Sequence, residues 1–384
     1  VTDYFVKVLP QHAIELLKIA SLLGETFPIE FFYIFSANFI KKSVPEIQQI
    51  MEQSTHLGLI EQTDSKHYNF QHIQLLHYFS HHLTPQEKSK LHEEIIQFII
   101  ATSEKKETNQ FYIFQLLHHL LQLERTATEK EAQLLLQGGF KAFENNDYQN
   151  AVQIFSFLLD SSYEADLPKK NVYAHDHHSH KINVIQKYAD ALLGCGKVQK
   201  AIRFYQKAEE NSDNDFEKAE IASKQMQATF YLQNHHDSIN SGLRSLNYLK
   251  LRLSSDPLPC FLFTSIHLIK VLVYYLGQKI FSPQKNRFEN ICNVLRNLFM
   301  PAYQVNQPLT LCTLLLLVFY SRLLKKDSPQ RVFSNAHVCS LLFSMGLKKK
   351  GENLLKSSMA TAMKLNDHVT LAFLYQIKGG LFHT

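Results

Sequence analysis

Gly138-Gly139-Phe140-Lys141-Ala142-Phe143-Glu144-Asn145-Asn146-Asp147-Tyr148-Gln149-Asn150-Ala151-Val152-Gln153-Ile154-Phe155 is the stretch whose reading decides the fold. Apolar residues at helical spacing lie on both sides of a turn-forming Asn-Asn-Asp. Small residues, Gly139 and Ala151, bracket that turn, and a large one, Phe155, follows. Two helices that cross closely need small residues at the crossing and an apolar knob beside it. The same slots recur as Ala189, Gly196, Ala201 and Tyr205, then as Gln227, Asn234, Ile239 and Leu243, and again as Cys339, Gly346, Gly351 and Leu355. Gln227 and Ile239 depart from the pattern. The intervals are irregular, and only the second approaches the ~34-residue period of a tetratricopeptide array. The last interval leaves room for further degenerate pairs between Leu258 and Leu324.

Working outward, 45% hydrophobic and 20% charged residues exclude wholesale disorder, and only 12 Gly and 11 Pro in 384 residues favour helices. Ahead of the repeats, helices are predicted over Ala13–Leu23, Ile29–Ile40 and from Ser43 to about Leu57. Ser43 and Glu46 form a capping box on the third. Two short strands, Leu59–Gln62 and His67–Phe70, flank the turn Thr63–Lys66. Three helices and a hairpin is the order of a winged helix. Helices over Pro85–Thr102 and Gln110–Leu123 follow, separated by a polar loop. The expected fold is therefore mainly α. Residues 1–85 form a winged-helix-like unit with a small β-hairpin, 86–130 a helical connector, and 131–384 an α-solenoid of degenerate tetratricopeptide-like helix pairs. The chain opens without Met and stops inside a helical pattern at Thr384, and so reads as a piece of a longer protein.

Several function classes are weakened by what the residues lack. Lys and Arg outnumber Asp and Glu by only 40 to 35 and are dispersed, which speaks against a duplex-binding footprint. The would-be recognition helix, Ser43 to Gln53, holds two Glu and no Lys or Arg. Walker-type, G-x-S-x-G and dinucleotide motifs do not occur. The five cysteines include no C-x-x-C, which fits a reducing, cytoplasmic compartment. The longest apolar run, Leu309–Phe319, is too short to span a bilayer. His175, His177, His178 and His180 could meet one metal ion. A polar surface loop accounts for the same residues. The pairs His81-His82, His118-His119 and His235-His236 read as surface or partly buried polar residues.

A family resemblance attaches to particular residues. Leu9-Pro10, Glu15 to Gly24 and Phe27, then Gly58-Leu59-Ile60 and Tyr68-Asn69-Phe70-Gln71-His72, resemble the winged helix and the F-x-H motif behind the nucleotide-binding core of STAND-class signal-transduction ATPases. Leu91-His92 and Asn146 to Ala151 are similar to the segments that follow it, and Asn297–Tyr303 through Asn366-Asp367 to the helical arrays of large bacterial proteins. In those, kinase-like, ATPase and histidine-kinase or cyclase domains share one chain. The resemblance implies a non-catalytic regulatory segment. A protein or peptide effector would bind the concave face of the repeats, and the winged helix would contact an ATPase core in the same polypeptide. ATP or ADP and Mg²⁺ would belong to that upstream core. It also implies that His72 contacts the nucleotide diphosphate. The Asp that commonly follows in the motif is Ile73 here, and a packed, structural His72 is the other reading. Neither nucleic-acid binding nor membrane insertion is expected. A free-standing tetratricopeptide adaptor is the alternative reading, and a winged-helix transcription regulator a third.

Overall fold

The first residues fold in the order helix, strand, helix, helix, strand, strand. These elements are α1 (Gln11–Leu23), β1 (Thr26–Pro28), α2 (Ile29–Ile40), α3 (Val44–His56), β2 (Ile60–Gln62) and β3 (His67–Phe70). The computed structural model describes residues 9–103, 110–163, 178–276 and 285–380. They belong to two compact units, Val1–His175 and Asp176–Thr384.

In the first unit the capping box forms as predicted: Glu46 accepts from both the backbone N–H and the hydroxyl of Ser43, at 2.8 and 2.7 Å. The hairpin gains a strand that the sequence reading does not contain. β1 pairs antiparallel with β3, in register Phe27 to Tyr68, which gives a sheet of order β1-β3-β2. The extra strand puts Phe27 against Phe32 and Phe70, with ring centroids 5.1 and 6.0 Å away. This is a winged-helix-like arrangement closed over Leu16, Leu17, Ile47 and Met51, all fully buried.

After α4 (Ile73–His81), α5 (Pro85–Ser103) and α6 (Gln110–Gln122) pack against this unit. Phe31 of α2 meets Phe98 and Phe111 at 5.5 and 5.7 Å. Gln115 donates to the carbonyl of Leu23 at 3.1 Å, at the end of α1, where helix carbonyls lose their internal partners. Core residues therefore run without a break from Leu9 into α7 (Glu129–Glu144) and α8 (Tyr148–Tyr163). Arg125 clamps Glu131 through two bonds of 2.9 Å at the start of α7. Burial would raise the Glu131 carboxyl, but Arg125 and the Thr128 N–H hold it below its ordinary value. The predicted loop 103–109 lies, apart from Ser103, outside the described residues.

α7 and α8 form the first helix pair, and the predicted slots meet. A Cβ on Gly139 would lie 2.8 Å from the Phe155 ring, while Ala151 and Phe155 are fully buried. Asn146 turns the chain at φ 60°.

The second unit holds α9 (His178–Gly194), α10 (Val198–Asn211), α11 (Asp215–Tyr231), α12 (His235–Tyr248), α13 (Pro257–Leu276), α14 (Lys285–Val305), α15 (Gln307–Ser321), α16 (Pro329–Ser344), α17 (Lys348–Lys364) and α18 (His368–Gly380). The stacked pairs are α9/α10, α11/α12, α14/α15 and α16/α17. Ala189, Ala201 and Tyr205 are buried in the first of these, and Cys339 and Leu355 in the last. A Cβ on Gly351 would lie 2.8 Å from Phe343. Gly196 and Gly346 turn at φ 73° and 76°, where glycine costs nothing.

Two expectations are corrected here. In α11/α12 the left-handed residue is Gln233, φ 58°, and not Asn234, so every slot of the third window moves back by one. The slots then hold Met226, Ser238 and Gly242. The large and small residues have exchanged helices: a Cβ on Gly242 would lie 2.6 Å from Met226 Sδ. Gln227 and Ile239 are not slots at all, so their departure from the pattern vanishes. The second correction concerns α13, which joins no pair. It packs on α15 as an extra layer, with Cys260 buried beside Cys312, and α12 packs on α14 past it.

Candidate functional site

Neighbouring pairs in the second unit are tied by a polar ladder. Asp190 of α9 accepts from the Tyr205 hydroxyl at 2.7 Å and from Lys224 of α11 at 2.9 Å. One turn earlier, Gln186 donates to Glu220 at 3.1 Å. Burial and the Asp190 carboxylate raise the pKa of the Tyr205 hydroxyl and keep it protonated as a donor. On the second helices, Glu209 of α10 takes two bonds from Arg244, at 3.1 and 3.2 Å, and one from Tyr248 at 3.0 Å. These bonds fix the stacking of pairs. All their strong donors and acceptors are already engaged, which leaves little for a ligand.

The first turns of α10 differ. Lys197, Lys200, Arg203 and Lys207 line a groove of about 720 Å³ with Val198, Phe204 and Leu232, and among the described residues no carboxylate borders it. Among the described residues Lys197, Lys200 and Arg203 form no ion pair. Lys200 and Lys207 instead lie over the rings of Tyr188 and Phe204, at 5.7 and 5.0 Å. The α10 N-terminus has no side-chain cap and no acidic residue in its first turn. Cations there face the positive end of the helix dipole, where carboxylates are favoured by about 0.3–1 kcal/mol. The arrangement costs stability in the free chain, and an anion seated in the groove removes that cost. The α17 N-terminus, following the same glycine turn, carries Lys348-Lys349-Lys350 and is likewise uncapped and free of acids. Sequence reasoning treated these lysines as scattered helix ends. Basic residues at 197, 200, 203 and 207, close to one helical face, were the available signal.

The other predicted site residues do not assemble. His72 is exposed at the N-cap of α4, with no side-chain bond to the helix, so the packed reading of His72 is overturned. His175 and His177 lie outside the described residues, and His178 and His180 open α9 with side chains that are not described. Among the described residues no group of three His, Cys, Asp or Glu could hold a metal ion. No helix among them is long and apolar enough to cross a membrane. The exposed side of α3 presents Glu46, Gln48, Gln49, Glu52 and Gln53.

One histidine pair is misread by the sequence. His119 is fully buried, and its Nδ1 lies 2.7 Å from Nδ1 of the buried His92. His118 stacks edge-on beside His119, with ring centroids 5.1 Å apart.

No family model and no curated protein matches the chain. Among solved structures it is similar to BtubC from P. vanneervenii, at 10% identity over 73% of this chain and 92% of that one, with a TM-score of 0.31. A second is a Signal Transduction ATPase with Numerous Domains protein with a tetratricopeptide repeat sensor, from Pyrococcus horikoshii. The match is 13% identical, covers 96% of this chain but only 53% of that one, and has a TM-score of 0.36. A third is a Rap protein complexed with Competence and Sporulation Factor, at 13% identity, 81% and 80% coverage and a TM-score of 0.27. Scores this low decide nothing about the function of this chain.

Proposed function

We propose that this chain is a non-catalytic regulatory and protein-interaction segment of a multidomain STAND-type signalling ATPase. Its helix pairs capture a protein or peptide effector through an acidic stretch. The effector is expected from the repeats to lie on their concave face, and the cations along α10 support an acidic one there. The winged-helix-like unit then passes the event to a nucleotide-binding core that holds ATP or ADP and Mg²⁺. Its element order and the exposed His72, an imidazole free to donate to a phosphate oxygen, support that part of the reading. Transmission requires that the effector prefer one arrangement of the protein over another.

The observation that carries effector binding is the row Lys197, Lys200 and Arg203 at an uncapped helix N-terminus, with no carboxylate paired to them among the described residues. A fluorescein-labelled Glu-rich peptide tests it by anisotropy. The intact chain is expected to bind this peptide, more weakly as salt rises, and to ignore its Gln-rich counterpart. Lys200→Glu with Arg203→Glu should weaken binding at least tenfold, which is about 1.4 kcal/mol. Equal affinity for the two peptides, or no effect of the charge reversal, contradicts the site.

A further inference from the structure

We propose that the outer face of α13 is a two-fold self-association surface whose partner is a second copy of this chain. The helix is an addition to the stack: α14 packs on both α12 and α15, while among the described residues α13 packs mainly on α15, with Arg252 of the preceding segment over its Phe263 ring. Its inner side is ordinary, with Cys260, Thr264, His267 and Val271 buried. The outer side is not. Leu258 is 84% exposed, Leu262 60% and Ile269 62%, and Phe261, Ile266 and Leu272 are exposed in line with them. Ser265 and Lys270 are the polar residues on that face up to Leu272. A solvated helix face carries the opposite composition. Single exposed apolar residues are common, whereas a contiguous row of six marks an interaction site.

The row also indicates its own partner. In an isologous contact, residue i meets j while j meets i. Reflected about Ser265, Leu258 falls on Leu272 and Phe261 on Ile269. Two antiparallel copies of α13 would thus interleave apolar layers along the whole row. At the centre Ser265, whose hydroxyl turns back to the Phe261 carbonyl at 2.9 Å, lets the two backbones approach. The same operation brings Lys270 of one copy to within about one turn, ~6 Å of helix rise, of the exposed Asp256 of the other. The six side chains expose on the order of 600 Å², to which Ser265, Lys270 and Asp256 add the polar part of the surface. That is near the ~800 Å² per partner of a standard interface.

Sedimentation velocity across a concentration series tests the proposal on the intact chain. The wild type is expected to form a dimer, and Leu262→Glu with Ile269→Glu to weaken it at least a hundredfold with unchanged far-UV circular dichroism. Both substitutions sit on exposed positions and leave the fold alone. Ser265→Cys, in a Cys195→Ser background, should form a disulfide-linked dimer on mild oxidation, because the dyad brings the two thiols together. A monomer at every concentration overturns the proposal, as does a dimer indifferent to the two glutamates or a Ser265→Cys chain that does not cross-link. A monomeric chain that floats with phosphatidylcholine vesicles assigns the face to a lipid surface and overturns it equally.

Discussion

Met226→Ala is expected to destabilise the second unit by about 3 kcal/mol, and Gly242→Leu by about 2–3 kcal/mol, but the two together by less than Met226→Ala alone. Met226 is fully buried, and its removal leaves a cavity between α11 and α12. A side chain at position 242 collides with it: the Cβ alone would lie 2.6 Å from Met226 Sδ and 2.8 Å from Leu298 Cδ1. In the pair α7/α8 the small residue is Gly139 on the first helix, and Phe155 fills the space from the second. In α11/α12 the exchange is complete, with Met on the first helix and Gly on the second. A leucine from α12 should therefore fill the hole left by Met226→Ala. Urea unfolding followed by far-UV circular dichroism gives the cycle, and a coupling of at least about 2 kcal/mol is expected. Strict additivity would mean that the two positions do not share one slot.

Acidification should cost the first unit at least about 3 kcal/mol between pH 6.5 and 4, and His92→Leu with His119→Leu should remove most of that loss. Nδ1 of His92 and Nδ1 of His119 lie 2.7 Å apart, so one carries a proton and the other a lone pair. The Nε2 of His119 has no partner, which favours His119 as the Nδ1–H donor, since a bare lone pair is the cheaper orphan. Burial pushes His92 down to about 4, helped by His118 and Lys88. Burial, with His92 and His118, takes His119 well below its ordinary value. Folded values below the unfolded ~6.5 mean that the unfolded chain binds protons first as pH falls. Stability is therefore full above pH 6.5 and declines toward pH 4. Carboxylates such as Glu131 lose their contribution below that window. His118, beside the pair, is also pushed down by burial, and His337, in the second unit, to about 4; both are present in both proteins. The difference between wild type and double variant isolates the pair. An apolar pair of similar size leaves no group unpaired, so the variant should match the wild type at pH 7. Parallel pH profiles would contradict this account of the pair.

Much of the architecture is legible in the residues because each feature has a local cause. Ser43 and Glu46 announce α3, and the spacing of Gly139, Asn146 and Phe155 announces a helix pair. What escapes the sequence is non-local. β1 is three residues long and exists only because β3 pairs with it. The third turn misleads because Asn is the better left-handed residue, yet the chain places Gln233 there. Once the register slips by one, Met226 and Gly242 are invisible as a complementary pair. α13 has the apolar character of a stacked helix, and nothing in its periodicity says that it lies outside the stack. His119 looks like a surface histidine until α5 supplies His92 from 27 positions upstream. The α10 groove was readable as a basic stripe, but its lack of neutralising carboxylates depends on what packs nearby.

Hydrogen–deuterium exchange of the whole chain, with and without the Glu-rich peptide, tests the central claim most directly. The α10 N-terminus is uncapped, so its first amides exchange freely unless an anion engages them. Protection is predicted over residues 196–207 and at Leu232, with the polar ladder around Asp190 unchanged. Protection elsewhere, or none at saturating peptide, would contradict effector capture by the helix-pair array at this groove.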